Sequence, residues 1–547
     1  MRLKAAQVAA LVWLQLSLSG VGGWAQAAEP QAPSSVLKHL VVIFQENHSF
    51  DSYFATYPVA ANPPGQPAFS PRPGTPSVNG LTETLRRHNP NESNPFRIDR
   101  RQAFTCDQDH EYTAEQRARN GGLMDRFVRF AAQGPTDPRQ FCHRNSQGHW
   151  DTVMGYFDGN TVTALWTYAQ HFALSDNFFA TTAGQSTRGA LNLTAGDTSG
   201  VLCGPNEDIY GDVPPCGGPV ASVATPAPTG GTLGTLNNDV DPYWDICSGR
   251  ATAALSGRNV GDLLTAAGVT WGWFQGGFAL APDGTCASRH VLEAYDQAVG
   301  VDPATDPLRI PDYVPHHNPF QYFASTANPG HLPPTSVAMV GQTDQANHLY
   351  DLSWFWQAAY AGNLPAVSFL KAPAYQNGHP GNSDPLDEQV FLVETLNRLQ
   401  ALPEWESMAV LITWDDSDGW YDHVMPPIVN HSNTPLDFLC GDTTDGPGAR
   451  CGYGPRLPLL ALSPYAKENY VSQTLADQTS ILRLIEDHWL RGERISATSF
   501  DRLSGALLDL FDFSHPVSRT VILEPTTGLP VAPSEESPGA AAPPATR

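Results

Sequence analysis

Apolar residues gather into three short runs, each closed by polar residues: "HLVVIFQEN" (39–47), "AVLITWDDSD" (409–418) and "RLPLLALSP" (456–464). Runs of this length, apolar at consecutive positions and rich in β-branched residues or leucine, predict strands buried on both faces. Elsewhere the spacing changes. "LDEQVFLVETLNRLQALP" (386–403) and "TSILRLIEDHWL" (479–490) set apolar residues three and four apart, which predicts helices with one buried stripe. Strands alternating with helices imply an α/β fold, a central and largely parallel β-sheet flanked by helices, with loop-rich insertions between these elements. In such sheets ligands gather beyond the carboxyl ends of the strands. The polar residues that close the runs are therefore the ones to read for chemistry.

Both ends of the chain break this pattern. Arg2 and Lys4, an apolar run from Ala5 to Leu18 and the small-residue pattern Ala25-Gln26-Ala27 predict a secretory signal peptide over 1–27. Its apolar run is shorter than the roughly 20 residues of a membrane span, and no later stretch of that length lacks charges or prolines. The mature chain is expected to be periplasmic or secreted, with no integral membrane segment. From Glu524 onward the sequence is rich in Pro, Ala and Ser, which predicts a disordered tail over 524–547 and leaves 28–523 as the folded part.

Charge narrows the partners. With 31 basic and 55 acidic residues the formal charge is −24, and no Lys/Arg tract offsets it, so nucleic acid is excluded as an expected partner. A small phosphorylated substrate stays compatible, because a metal or local cations reverse the field inside a single cleft. Eight cysteines and no CxxC in an exported chain predict disulfides. Cys203 with Cys216 and Cys440 with Cys451 each close a short Gly/Pro-rich loop and are the expected pairs.

Candidate chemistry starts at the strand ends. Glu46-Asn47 follows the first run and Asp415-Asp416 closes the second; if the two strands are neighbours, three carboxylates and an amide converge. That much negative charge is costly without a cation, and oxygen ligands suit a hard divalent metal. Ser186, in "GQSTRGALNLTAG", has its second glycine one position too late for a G-x-S-x-G nucleophile elbow. It fits a helix N-cap, and a helix N-terminus also receives phosphoryl groups, so cap and nucleophile both stay open. Histidines fall in unusual settings at His110, His316-His317, His348, His379 and His423, none with HExxH spacing. Together they could hold phosphate and deliver a proton to a leaving oxygen.

The segments "VVIFQENHSFDSYF", "GQSTRGALNLTAG", "YVPHHNPFQYFASTANPGHLPPTS", "DQANHLYD", "SFLKAPAYQNGHPGNSDPLDEQ" and "WDDSDGWYDHV" together resemble the bacterial phosphoesterase family of acid phosphatase A and the non-specific phospholipases C. The resemblance runs from about His39 to Leu490 and looks closer to the acid phosphatase A branch. It implies an alkaline phosphatase-like fold, with 28–523 as the phosphoesterase catalytic domain. It also implies one divalent metal ion, with Ca, Mg, Mn and Zn all left open, held by Glu46, Asn47, Asp415, Asp416 and Ser186. Ser186 becomes the nucleophile, His110, His317 and His379 its phosphate-side histidines, and His316 their neighbour; His379 and then His317 are the candidate proton donors. Arg188 and Trp420 depart from the family's flanking residues and are expected to bear on specificity. The implied activity is hydrolysis of phosphomonoesters by a broad-specificity acid phosphatase through a phosphoserine. The alternative is a phospholipase C acting on phospholipid head groups, and a more distant one a catalytically silent phosphate-binding module.

Overall fold

A computed structural model describes residues 36–205, 208–210, 213–217, 234–286, 289–291, 308–429 and 452–531. Its centre is an eight-stranded sheet: β1 (His39–Gln45), β2 (Ala173–Ser175), β3 (Trp271–Gln275), β4 (Leu349–Asp351), β5 (Val367–Lys371), β6 (Met408–Trp414), β7 (Leu459–Leu462) and β8 (Tyr470–Ser472). The spatial order is β4-β3-β5-β1-β6-β7-β2-β8. Seven strands share one direction and β7 alone runs against them, pairing antiparallel with β6 and β2. The sheet is thus largely parallel, as the apolar runs imply.

Every residue of β5, β6 and β7 is buried, which requires cover on both faces. The cover comes from helices that include α1 (Ser186–Ala195), α2 (Pro385–Gln400) and α3 (Gln478–Trp489). Helix α2 starts at Asp384, whose side chain accepts from Leu386 and Asp387 N–H, with Pro385 in the first turn. A reciprocal capping box between Asp477 and Ser480 starts α3. Both helices coincide with the predicted segments to within a few residues.

Between α1 and β3 the chain builds a smaller five-stranded sheet, which includes Ser199–Cys203, Asp241–Pro242 and Thr252–Leu255. This insertion walls one side of the site. Disulfides join Cys203 to Cys216, as the loop length suggested, and also Cys106 to Cys142 and Cys247 to Cys286. Cys440 and Cys451 lie outside the described residues, as does the expected signal peptide. The chain does not leave the fold at Glu524: Gln389 of α2 donates to the carbonyls of Pro525 and Thr526, and Leu523 bridges to Pro530. No helix among the described residues is long and apolar enough to cross a membrane.

Candidate active site

Parallel pairing of β1 with β6 sets Gln45 opposite Trp414, so Glu46-Asn47 and Asp415-Asp416 emerge side by side from the centre of the sheet. Asn47 turns out of β1 with φ of 49°, a left-handed conformation unfavourable for a residue with a side chain. Helix α1 packs across these ends. A Cβ on Gly189 would collide with the Asp415 carbonyl, so glycine one turn into α1 is what lets the helix come this close.

Ser186 sits at the first position of α1, and Gln185 occupies the cap without a side-chain capping bond. The cap reading of Ser186 therefore gives way. Its Oγ turns inward, 3.1 Å from Asp416 Oδ2, 3.3 Å from Glu46 Oε2 and 3.4 Å from Asn47 Oδ1. One hydroxyl proton cannot serve three acceptors. All four residues are buried. The helix N-terminus is less open to an anion than expected, because the Thr187 N–H already donates to Asp239 Oδ1.

Asp415 stands behind this group. Its Oδ1 accepts from Asn47 and Asp416 N–H at 3.3 and 2.8 Å, and its Oδ2 lies 3.4 Å from Lys371 Nζ. Lys371, at the end of β5, also contacts Glu46 Oε1 and is buried with it. Burial, and next the facing Asp415, push Glu46 well above the usual carboxylate range; burial raises Asp416 likewise. One end of the Asn47 side-chain amide lies 2.8 Å from both Glu46 Oε2 and Asp415 Oδ1. Buried carboxylates driven toward protonation around one hydroxyl are the arrangement a divalent cation relieves, so these residues fit a metal. Glu46, Asn47, Asp416 and Ser186 would hold it, with Asp415 at the back.

Above the oxygens opens a cleft of about 480 Å³, lined by polar residues that include Asp107, Asp239, Asp241, His316, His317 and His379. Each histidine is tied. His317 Nδ1 lies 3.0 Å from Glu46 Oε1, and burial, then His316, holds it well below the ordinary imidazole value. His379 Nδ1 meets the Pro380 carbonyl at 2.6 Å, and burial lowers it too. His110 differs: Nδ1 faces the Gln108 carbonyl at 2.8 Å and Asp418 Oδ1 at 3.2 Å, and Nε2 lies 3.5 Å from Asn47 Nδ2. Burial alone would lower His110, but Asp416 and Asp107 outweigh it and lift it to about 10. His316 is wedged between Asp241 at 3.2 Å and Asp239 at 3.5 Å.

Other expectations are corrected. Arg188 and Trp420 do not line the cleft: Arg188 is buried over the Tyr112 ring and bonded to Asn237, and Trp420 is buried beside His48. His348 stacks on Trp271, and His423 pairs with Asp51 at 2.6 Å, both away from Ser186. Asp107, His110, His379 and Asp418 also offer ligand atoms within 4.8 Å of one another, a His/Asp group the residue pattern does not mark. Lys371 is the other omission. Its signal was a lysine ending an apolar strand, as Glu46 and Asp415 follow theirs.

A sequence model of the phosphoesterase family matches residues 37–490. The non-hemolytic phospholipase C of Pseudomonas aeruginosa is 24% identical over 496 residues, covering 88% of this chain and 58% of that one. Its counterpart in Burkholderia pseudomallei is 25% identical over 518 residues, with 90% and 61% covered. Phospholipase C B of Mycobacterium tuberculosis is 25% identical over 504 residues, with 88% and 78% covered. The chain thus spans about three fifths of the first two relatives. All three carry the name of the alternative rather than of the acid phosphatase branch. Among solved structures, a protein in the alkaline phosphatase superfamily from Vibrio parahaemolyticus covers 85% of this chain and 68% of its own at 11% identity, with a TM-score of 0.27.

Proposed function

The chain belongs to the phosphoesterase family, and we propose that it is a phosphoric ester hydrolase using Ser186 as its nucleophile. The observation that carries this is the Ser186 hydroxyl, buried at the meeting point of Glu46, Asn47 and Asp416 beneath a histidine-lined cleft. A divalent ion bound there would lower the hydroxyl's pKa and offset phosphate charge. Ser186 Oγ attacks phosphorus, and Asp416 Oδ2, its nearest neighbour, receives the proton. His110, whose Nε2 lies 3.5 Å from the Asn47 amide, steadies the phosphoryl oxygens from the cleft side. The Oγ–P bond forms as the bond from phosphorus to the leaving oxygen breaks, giving a phosphoserine and a free alcohol. The proton for that alcohol comes from His379, with His317 the second choice. Burial holds both below the ordinary imidazole value, so the donor must first take up a proton, which the hydrolytic water returns to it while Asp416 gives its own back to Ser186 Oγ. Water then cleaves the phosphoserine and restores Ser186.

For substrate we place the phosphodiester of a phospholipid head group first, because relatives named phospholipase C align over nearly the whole chain. A soluble phosphomonoester is the second reading, supported by the carboxylates and histidines that line the cleft, Asp107, Asp239, Asp241, His316, His317 and His379 among them. The deciding experiment compares phosphatidylcholine vesicles with p-nitrophenyl phosphate at saturating substrate, each with and without chelator. Faster turnover of vesicles supports the first reading, and the reverse ranking supports the second. Activity on neither substrate, with metal supplied, overturns the assignment.

A further inference from the structure

Inside the carboxylate group sits a charge that attack on phosphorus does not call for. Lys371 Nζ touches Glu46 Oε1, lies 3.4 Å from Asp415 Oδ2 and 3.5 Å from the Gln45 carbonyl, and stands over the Phe44 ring at 4.9 Å. Its side chain is 1% exposed. No solvent reaches it, so its charge is balanced by these carboxylates or by nothing. We propose that Lys371 is a built-in counterion that fastens the two metal-bearing strand ends together and fits the cluster to a single divalent cation.

Two observations support this. By formal charge alone, Glu46, Asp415 and Asp416 against the one ammonium that touches the group leave −2, which one divalent ion offsets. The geometry divides the oxygens in the same sense: Lys371 and His317 occupy Glu46 Oε1, leaving Oε2 toward Ser186. Asp415 is likewise spent on Lys371 and on the N–H groups of Asn47 and Asp416. Lys371 thus leaves Glu46 a single oxygen aimed at Ser186 and draws Asp415 away from that point. It also holds β1, β5 and β6 together at the site before any ion binds. The inference rests on reading Glu46, Asn47 and Asp416 as ligands of that ion.

The test measures thermal unfolding of the full chain, stripped with chelator and again with saturating Mn²⁺, for wild type and Lys371→Met. The counterion role predicts a stripped variant melting about 5 °C or more below stripped wild type, because a buried charge has lost its partner. With Mn²⁺ the gap should shrink to less than half, since the ion takes over the neutralisation. A gap that is the same with and without Mn²⁺ means that Lys371 only fills space, and overturns the proposal. If Lys371→Met does not fold, the double variant Lys371→Met/Glu46→Gln returns the cluster to −2 and should recover the stripped melting temperature. A double variant no better than the single one also overturns it. If stripped wild type neither takes up Mn²⁺ by elemental analysis nor gains stability from it, the metal reading fails instead, while the comparison of single and double variants still judges Lys371.

Discussion

The site has two halves built in different ways. Its oxygen half, Glu46, Asn47, Asp415, Asp416 and Lys371, hangs from the ends of three adjacent strands, with Ser186 on a helix laid across them, and all of it is buried. Its histidine half, His110, His316, His317 and His379, comes from loops and short turns and lines the cleft. Strand ends fixed by a parallel ladder hold atoms to the tolerance that a metal and an in-line attack demand. Loops can differ in the leaving groups they accept while leaving that half alone. On the reading proposed above, the oxygen half makes the new bond and the histidine half meets phosphate and leaving group, so the two should fail differently when mutated.

The largest effect should come from Ser186→Ala. It removes the attacking oxygen and no capping bond, so turnover should drop at least ~10³-fold while the melting temperature stays within a few degrees of wild type. Stopped turnover on monoesters and vesicles alike would place Ser186 in the shared half. A folded variant that keeps most of its activity on either substrate would dissolve the division. Next come Glu46→Gln and Asp416→Asn, which should each release the ion and slow turnover by roughly 10²–10³-fold on every substrate. Elemental analysis of the purified variants checks the first part, and full metal occupancy with lost activity would refute the ligand assignment. His379→Ala should behave otherwise. Alkyl phosphates need a proton on the departing oxygen and p-nitrophenolate does not, so the variant should lose about 10²-fold on the former and only severalfold on the latter. Equal losses would mean that His379 holds phosphate instead of donating a proton.

The same division governs what could be read from the residues. Buried parallel strands announce themselves as apolar runs, so β1, β6 and the carboxylates after them were legible from hydrophobicity and charge alone. The direction of β7 was not, because an apolar run looks alike in either orientation. Ser186 stayed ambiguous between cap and nucleophile until its Oγ was seen to face three oxygens. The histidines carry only a weak local signal: their unusual settings marked His110, His317 and His379 together with His348 and His423, which lie elsewhere, and the family resemblance had to separate them. Packing also overrode the expectations for Arg188 and Trp420, whose variation sits in the core behind the cleft. Likewise the Pro/Ala-rich stretch after Glu524 reads as tail by composition, yet its first residues, Pro525 and Thr526, are captured by Gln389 of α2.

The smallest effect tests what joins the strand ends from below. Glu388 of α2 accepts from Tyr53 Oη at 2.7 Å, Trp414 Nε1 at 2.9 Å and Gln45 Nε2 at 3.4 Å, gripping the last residues of β1 and β6 just before Glu46-Asn47 and Asp415-Asp416. It touches neither the oxygens around Ser186 nor the cleft. These donors favour the carboxylate and burial favours the acid; burial is the larger and lifts the group to about 8. An acid whose folded pKa is raised holds its proton in the native state where the unfolded chain has lost it. Its stabilising contribution is complete below about 4.5, declines as pH rises and is exhausted as pH passes 8. Wild type should therefore lose more stability between pH 5 and pH 8 than Glu388→Gln, which has no proton to release. Glu486, raised to about 9 by burial, imposes a slope of the same sign, but it is common to both proteins and cancels in the difference. Denaturant unfolding of both proteins at the two pH values measures it. Converging curves toward pH 8 would show a neutral acid joining the strand ends. Parallel curves would mean that Glu388 is already ionised in the fold, and that its three donors alone hold the oxygen half in place.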